Sequence, residues 1–463
     1  MSKRVSKLLK SGGYQTMGEA QTLIDQAQSR GVTLVRVAYC DNANLIRAKT
    51  VPVDGLDAAL RYGVGFSVAQ QALPMMGDVV VAASGITPAG ETWLVPDPET
   101  FTPLPYSAGC ATMLGEFVTF AGTPWEHCPR GCLRRAVAAA AAEGLEIQAA
   151  FEPEFYLMRE VDGRWAPVDD TNFAMTAAHD LAHNLIRDLA HTLTAMGLRV
   201  GLVYPESGPG QFELSIEHAA AVRAADRHLL LRDAVRGVAY RHGVAASFAP
   251  KPLPHSAGSG CHLHVSVWRD GRNILYDERD ALFLSREGYG WIAGLLAHLP
   301  ALCALTAPSV NSYARLRPHA WAGAFACYGL DNREAAVRVV SPRRGPASFN
   351  VELKTADGSA NPYLALAAVL SAGLDGLRRE LLPGDPADGD PGLLSDRERA
   401  ARGMVPLPGR LDEAIAALEA DRVLHDALGE PLARSYLAVR RAEWEALSTM
   451  TSEAQVRQHL FKY

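Results

Sequence analysis

The sequence predicts an α+β protein built from two domains, and three observations carry that expectation. The chain has 463 residues, 48% of them hydrophobic, which is enough for a large core and long enough to divide into two or three domains. Up to about residue 115 it reads as short strand patterns interrupted by turns and prolines. Beyond that point helical and strand patterns alternate, the signature of an α/β or α+β catalytic domain. The expected division is a small, sheet-rich N-terminal domain over 1–115 and a catalytic domain over 116–463.

In chain order, residues 16–30 carry alanine, leucine and isoleucine at helical spacing, and residues 33–40 (TLVRVAYC) read as a strand. Asp41-Asn42-Ala43-Asn44 is turn chemistry, and Leu45 to Val51 fits the returning strand. A short helix is expected at 54–62, and strands near 78–83 and 92–95. Pro96, Pro98, Pro103 and Pro105 then break the pattern. After Pro129 a helix is expected at 130–143, a strand at 146–158, a helix at 177–197 and a strand at 199–204. A helix at 219–242 leads into strands at 244–249 and 261–268. Helices at 286–304 and 361–379 flank a loop-rich stretch at 305–350. Residues 383–409 read as an exposed Pro/Gly/Asp/Arg loop, and 410–460 as helical.

Composition narrows the function. Lys+Arg number 45 and Asp+Glu 51, a net charge of -6, which gives no global preference for nucleic acid. The basic residues Lys3, Arg4, Lys7 and Lys10 read as a solubilising arm. The seven cysteines are scattered and form no CxxC pair, so they read as reduced thiols. No apolar signal core and no uncharged apolar run of about 18 residues is present, so the expectation is a cytoplasmic protein with no membrane partner.

Four clusters carry chemistry. In FEPEFY, Glu152 and Glu154 are two apart, so a strand points both carboxylates to one side. The plain alternative is a solvated face, but Ala149, Ala150, Phe151, Phe155, Tyr156 and Leu157 argue for a buried strand, where paired carboxylates need a cation. Glu206 and Glu213 flank a Gly/Pro turn that can bring them round one site, although such a turn is more often mere surface. In GSGCHLH, His262 and His264 again share a strand face behind a glycine-rich entry. Glu352 and Lys354 form the fourth cluster. Between the third and fourth lie Arg315, Arg333, Arg338, Arg343 and Arg344, whose guanidinium forks suit phosphate and carboxylate. Glutamate oxygens suit magnesium or manganese better than zinc, and two such metals beside arginines suit phosphoryl transfer from ATP. Neither a P-loop nor a kinase glycine-rich loop is present.

With these motifs in view, the chain resembles the type I glutamine synthetase superfamily from about residue 20 to the end. The landmarks, in the family's order, are FEPEFYL at 151–157, ESGPGQFE at 206–213, APKPLPHSAGSGCHLHVS at 249–266, NSYARLRP at 311–318, NREAAVRV at 332–339 and VELKTADGSANPYLALAA at 351–368. The resemblance implies a β-grasp-like N-terminal domain and a homo-oligomer, a dodecamer of two stacked hexamers with active sites between adjacent subunits. It implies two Mg2+ or Mn2+ ions, one held by Glu154, Glu206 and Glu213, the other by Glu152, His262 and Glu352. His264 and Ser266 match nucleotide-side residues, Arg315 the arginine on the glutamate carboxylate, and Arg333 and Arg338 the arginines on the phosphoryl group. Gly258 and Lys354 match acid-substrate positions. The implied reaction is attack of a substrate carboxylate on ATP to give an acyl phosphate, followed by amide formation with an amine.

The departures concern the amine. The position of the family's ammonium-binding glutamate, counted from Arg315, is Trp321, and the N-terminal-domain aspartate supplied by a neighbouring subunit aligns with Ser67. A carboxylate replaced by an indole turns a cation-attracting site into an apolar wall. The expectation is therefore γ-glutamyl ligation to an organic amine, with Trp321 and Ser67 at the substrate. Ala257 and Lys354 stand where the family has asparagine and arginine, both acid-binding, so a modified acid in place of glutamate stays open. Two alternatives also stay open: a true glutamine synthetase, against which Trp321 argues, and a non-catalytic assembly, against which the complete ligand set argues.

Overall fold

The computed structural model describes residues 17–463; the basic stretch containing Lys3, Arg4, Lys7 and Lys10 lies outside them. The N-terminal part holds α1 (Met17–Ser29), β1 (Leu34–Cys40), β2 (Ile46–Pro52), α2 (Leu56–Tyr62), β3 (Val64–Ser67), β4 (Glu91–Pro96), β5 (Thr102–Pro103) and β6 (Cys110–Val118). Its sheet runs β2-β1-β6-β4-β3, with β5 on β6 and β1 parallel to β6. One face buries Val35 and Met113 under Ile24 of α1 and Leu56 and Leu60 of α2. The other stacks Tyr39, Phe66 and Phe117 edge to face.

One expectation fails here, and one strand is not anticipated by the sequence pattern, both for identifiable reasons. The valine run near 78–83 forms no strand: Val79 is exposed, and the run is held by Val81 N–H donating to Ala72 O at 3.0 Å and Arg434 Nε donating to Ala83 O at 3.2 Å, with no ladder. A β-propensity run without a sheet edge to join stays a loop. Conversely β6 is central, yet its pattern carries Gly115. A Cβ there would lie 2.4 Å from Val95 O, so the glycine lets β4 and β6 cross closely.

The second part begins with α3 (Pro129–Ala142), β7 (Glu146–Val161), β8 (Arg164–Pro167), α4 (Thr176–Leu181), α5 (His183–Ala195), β9 (Val200–Pro205), β10 (Gln211–Ile216), β11 (Ala219–Ala220) and α6 (Ala221–Arg241). There follow β12 (Ala245–Ser247), β13 (Cys261–Arg269), β14 (Arg272–Asn273), α7 (Arg286–Thr306), β15 (Phe325–Ala326), β16 (Tyr328–Leu330), β17 (Val337–Val340) and β18 (Asn350–Leu353). The chain ends with α8 (Pro362–Arg378), α9 (Asp396–Ala401), β19 (Val405–Pro406), α10 (Leu411–Ala420), α11 (Arg422–Leu428), α12 (Glu430–Leu447) and α13 (Ser452–His459). The fold is α+β, as the sequence predicts. The helix expected at 177–197 is two helices joined at Ala182. The supposed loop at 383–409 contains α9, whose Ser395 and Glu398 form a capping box, and β19, which pairs with β15.

The large sheet runs β16-β17-β18-β13-β7-β10-β9. Helices α3, α6 and α7 pack on it and α8 packs against all three; α7 crosses α8 so closely that a Cβ on Gly376 would lie 2.1 Å from Gly290 O. Helix α7 is long and apolar enough to span a bilayer, but most of its surface is buried inside the protein. One core continues between the two parts and joins Ala38, Cys40, Leu104 and Leu114 to the helices of the second. Polar ties reinforce it: Asn44 donates to Gly358 O at 2.9 Å, Arg232 to Asn44 Oδ1 at 3.0 Å, and Tyr463 OH to Ala43 O at 3.0 Å.

Arg130 is the strongest such tie. Its buried guanidinium meets Asp97 at 2.7 Å and Glu116 at 2.7 Å from the N-terminal side, and Asp226 of α6 at 2.9 Å. Tyr363 OH also donates to Asp226 at 2.6 Å. Removing the cation leaves buried Asp226 with only the Arg223 guanidinium, 4.0 Å away, as counter-charge. Arg130→Met is therefore expected to cost about 3–5 kcal/mol, read as a lower midpoint of urea unfolding.

Candidate active site

The site is built on one face of the large sheet. Register sets Glu213 of β10 opposite Glu154 of β7, His262 of β13 opposite Glu152, and Glu352 of β18 opposite both His264 and Arg338. Each pair of ligand-type residues spaced two apart shares a side of its strand, so the four strands deliver their charged side chains to one floor. Glu206, which follows β9, closes the set across the turn from Glu213.

The structure brings Glu154, Glu206 and Glu213 together, with one carboxylate oxygen from each within 4.8 Å of the others. Glu152 gathers with Glu213 and His262, and also with His264 and Glu352. The structure thus joins Glu152 and Glu352 through His264, where the sequence expectation named His262, and sets His262 with Glu152 and Glu213. His262 Nδ1 lies 3.1 Å from Glu352 Oε1, and His264 Nε2 lies 3.0 Å from Glu152 Oε2.

Electrostatics divides the floor in two. On one side burial, and next the charge of Glu206, push the Glu154 carboxyl up to about 7. Burial, then Glu152 and Glu154, push Glu213 up to about 9. Their hydrogen-bonding neighbours are uncharged: Gln211 Nε2 donates to Glu154 at 3.0 Å and to Gly258 O at 2.9 Å, and Tyr204 OH donates to Glu206; the Arg315 and Lys354 charges only partly offset the rise at Glu154. On the other side the chain supplies cations. Burial works to raise Glu352, yet Lys354, 3.5 Å away, holds it well below the usual carboxylate range. Arg338 Nε lies 2.7 Å from Glu352 Oε2, a charge contact whose angle is too poor for a hydrogen bond. Burial opposes protonation of His264, but Glu152 raises its imidazole to about 9; burial works to raise the half-buried Glu152, yet His264 brings it down to about 2.

Burial, then Lys354, lowers His262 to about 4, so it is neutral at pH 7. Its Nδ1 faces the Glu352 carboxylate and its Nε2 lies 3.4 Å from Arg315 Nη2, an arrangement that assigns the proton to Nδ1. Arg315 is buried and anchored by donation to Thr355 O at 3.1 Å and Lys354 O at 2.8 Å.

These residues line a cavity of about 1070 Å³, with Gly258, Arg333, Arg338 and Lys354 on its walls and Trp321 at the mouth. His264 and Ser266 lie behind it on β13, where Ser266 Oγ accepts from Trp268 Nε1 at 2.9 Å. Ser67 is not brought to this cavity; its hydroxyl caps the turn at Ala69.

Residues 19–125 match the model of the glutamine synthetase N-terminal domain, and residues 126–459 that of the glutamine synthetase catalytic domain. The chain belongs to the glutamine synthetase family. It is accordingly an ATP-dependent ligase. Gamma-glutamylpolyamine synthetase GlnA3 of Streptomyces coelicolor is 39% identical to this family member over 450 residues, 96% of each chain. The glutamine synthetase of Halobacterium salinarum is 33% identical over 451 residues, 96% of this chain and 97% of the other. A solved structure described as a novel glutamine synthase homolog superposes with a TM-score of 0.83 at 34% identity, over 93% of this chain and 99% of that one. A GmaS/ADP complex gives 0.82 at 30% identity, over 94% and 98%.

Glutamine synthetases use ATP and divalent metals, and the floor of this one fits them. Hard oxygen donors converge, and burial with mutual repulsion raises the Glu154 and Glu213 carboxyls, so an added cation would relieve the crowding. Sequence reasoning missed Tyr204 and Gln211 as partners of the carboxylates, although both stand inside the motif around Glu206 and Glu213. It also missed Phe173, Leu202, Lys251 and Asn311 on the cavity wall.

A raised carboxyl pKa favours the folded metal-free chain below the ordinary value near 4.5, an advantage lost as pH rises through about 7 for Glu154 and 9 for Glu213. A divalent cation displaces those protons. Mg2+ is therefore expected to bind more tightly from pH 6 to 9 with release of about one proton or more, read by calorimetry in buffers of differing ionisation enthalpy. The metal-induced rise in Tm grows over the same range, and Glu213→Gln reduces the proton release.

Proposed function

We propose that the protein joins an organic amine to the γ-carboxylate of glutamate through a γ-glutamyl phosphate. The observation that carries this reading is Trp321 at the mouth of the carboxylate-floored cavity, at the position where the family resemblance puts an ammonium-binding glutamate. The likeness to a gamma-glutamylpolyamine synthetase supports the same reading.

On this proposal Glu154, Glu206 and Glu213 hold one Mg2+ or Mn2+, and Glu152, His262 and Glu352 a second. When bound, the ions neutralise phosphate charge. Arg315, with Lys354 and the Gly258 backbone, orients the acid. Its γ-carboxylate oxygen attacks the γ-phosphorus of ATP and ADP leaves. Arg333 and Arg338 stabilise the charge on the phosphoryl oxygens, while His264 and Ser266 support the nucleotide side. The amine nitrogen then attacks the acyl carbon, the C–O bond to phosphate breaks, and the nitrogen loses a proton. Trp321 packs the body of the amine. The proposed assembly is a cytoplasmic homo-oligomer, two stacked hexamers, in which Ser67 of one subunit faces the cavity of its neighbour.

Phosphate release with ATP, Mg2+ and glutamate tests the proposal, with ammonium compared against methylamine, isopropylamine, ethanolamine, putrescine, spermine and aniline. The expected outcome is at least one organic amine used with kcat/KM about tenfold or more above ammonium, the range a fitted apolar pocket gives. Turnover with ammonium alone returns the protein to ordinary glutamine synthesis.

A further inference from the structure

Three large apolar side chains stand exposed around the mouth of the cavity: Phe173 at 45%, Leu202 at 54% and Trp321 at 50%. They come from three separate segments, the loop before α4, strand β9 and the loop before β15. The Phe173 and Trp321 rings meet edge to face, centroids 5.8 Å apart and planes at 84°. Single exposed apolar residues need no explanation, but a cluster that rims a concave site marks a place where apolar surface is covered by a ligand.

The backbone under the rings is built for this. Trp321 itself is left-handed at φ +54°, as are His319 at +61° and Ala174, next to Phe173, at +56°. None is glycine, so each conformation is strained and persists only when held from outside. Trp321 N–H donates to Glu334 Oε1 at 3.0 Å, His319 Nδ1 meets Asp390 Oδ2 at 2.6 Å, and Ala174 N–H donates to Pro205 O at 3.3 Å. These anchors leave the rings aimed into the cavity mouth. They also occupy the two nearby carboxylates, Glu334 and Asp390. Among the cations on the cavity wall, Lys251 and Arg317 meet no carboxylate within 4.0 Å among the described residues.

We infer that Phe173, Leu202 and Trp321 form an apolar clamp that takes the hydrocarbon body of a primary monoamine, and that it selects against amines carrying a second positive charge. Phe173 and Leu202 are thereby specificity-determining residues beyond Trp321. The inference rests on the amine-ligase reading and narrows its substrate class. Burying successive methylenes against the clamp tightens binding, while Lys251 and Arg317 repel a distal ammonium.

The test measures KM with the full-length enzyme, ATP, Mg2+ and glutamate across methylamine, ethylamine, butylamine and hexylamine, with putrescine and spermidine alongside. KM is expected to fall about two- to fourfold per added methylene, and butylamine to be used better than putrescine. Phe173→Ala and Leu202→Ala flatten the dependence on chain length, and Phe173→Leu restores part of it. Leu181→Ala, at an exposed leucine away from the cavity, keeps the wild-type slope. A slope unchanged in both alanine variants, or putrescine preferred over butylamine, overturns the clamp while leaving amine ligation standing. Turnover with ammonium alone overturns the organic-amine reading, and the clamp with it.

Discussion

Five glutamates crowded onto one buried patch are the constraint around which the rest of the structure is arranged. At an effective dielectric of about 20, two like charges 4 Å apart repel by about 4 kcal/mol, and Glu154 and Glu213 face each other directly across a ladder. No packing of apolar side chains offsets such a cluster; positive charge or protons must. The chain supplies Arg338, Lys354 and protonated His264 to Glu352 and Glu152, but gives Glu154, Glu206 and Glu213 mainly hydrogen-bond donors. The demand for an added cation is therefore concentrated on that second group.

The fold meets this constraint through register. A slip of one residue in any of β7, β10, β13 or β18 would turn its charged side chains into the apolar core beneath. The long β7 prevents that by pairing with β13 over eight residues, Cys261–Trp268 against Glu146–Pro153. The helices on its far side then bury the alternate residues, Phe151, Phe155 and Leu157 among them. A glycine-rich approach to β13 completes the floor: Cβ atoms on Gly258 and Gly260 would press into Arg315 and His262.

Much of this was legible in the sequence because it depends on spacing of two. Glu152 with Glu154, and His262 with His264, announce a shared strand face, and the order of motifs announces the family. The α+β class and most helices follow from periodicity. What the sequence hid depends on contact between distant segments. Central β6 was obscured by Gly115, whose reason is the approach of β4. The valines near 78–83 carried strand propensity but met no sheet edge. Phe173 and Leu202 have no local mark of function; they matter only because the loop before α4 and strand β9 arrive beside Trp321. Tyr204 and Gln211 were readable in hindsight, as hydrogen-bond donors set among acids.

The cavity thus has a charged floor and an apolar rim, and on the proposed chemistry the two answer different problems. The floor handles phosphoryl transfer, where negative charge must be neutralised. The rim handles the second step, where an acyl phosphate must meet an amine before it meets water. Hydrophobic rings held over the entrance exclude water and raise the local share of an apolar amine. That task explains why three non-glycine residues beside the mouth are kept in left-handed conformations. The strain fixes ring positions that relaxed loops would not hold. Loosening one anchor, such as the Glu334 contact to the Trp321 backbone, opens the rim without touching the floor. Its signature is therefore continued ATP cleavage with less amide formed for each phosphate released.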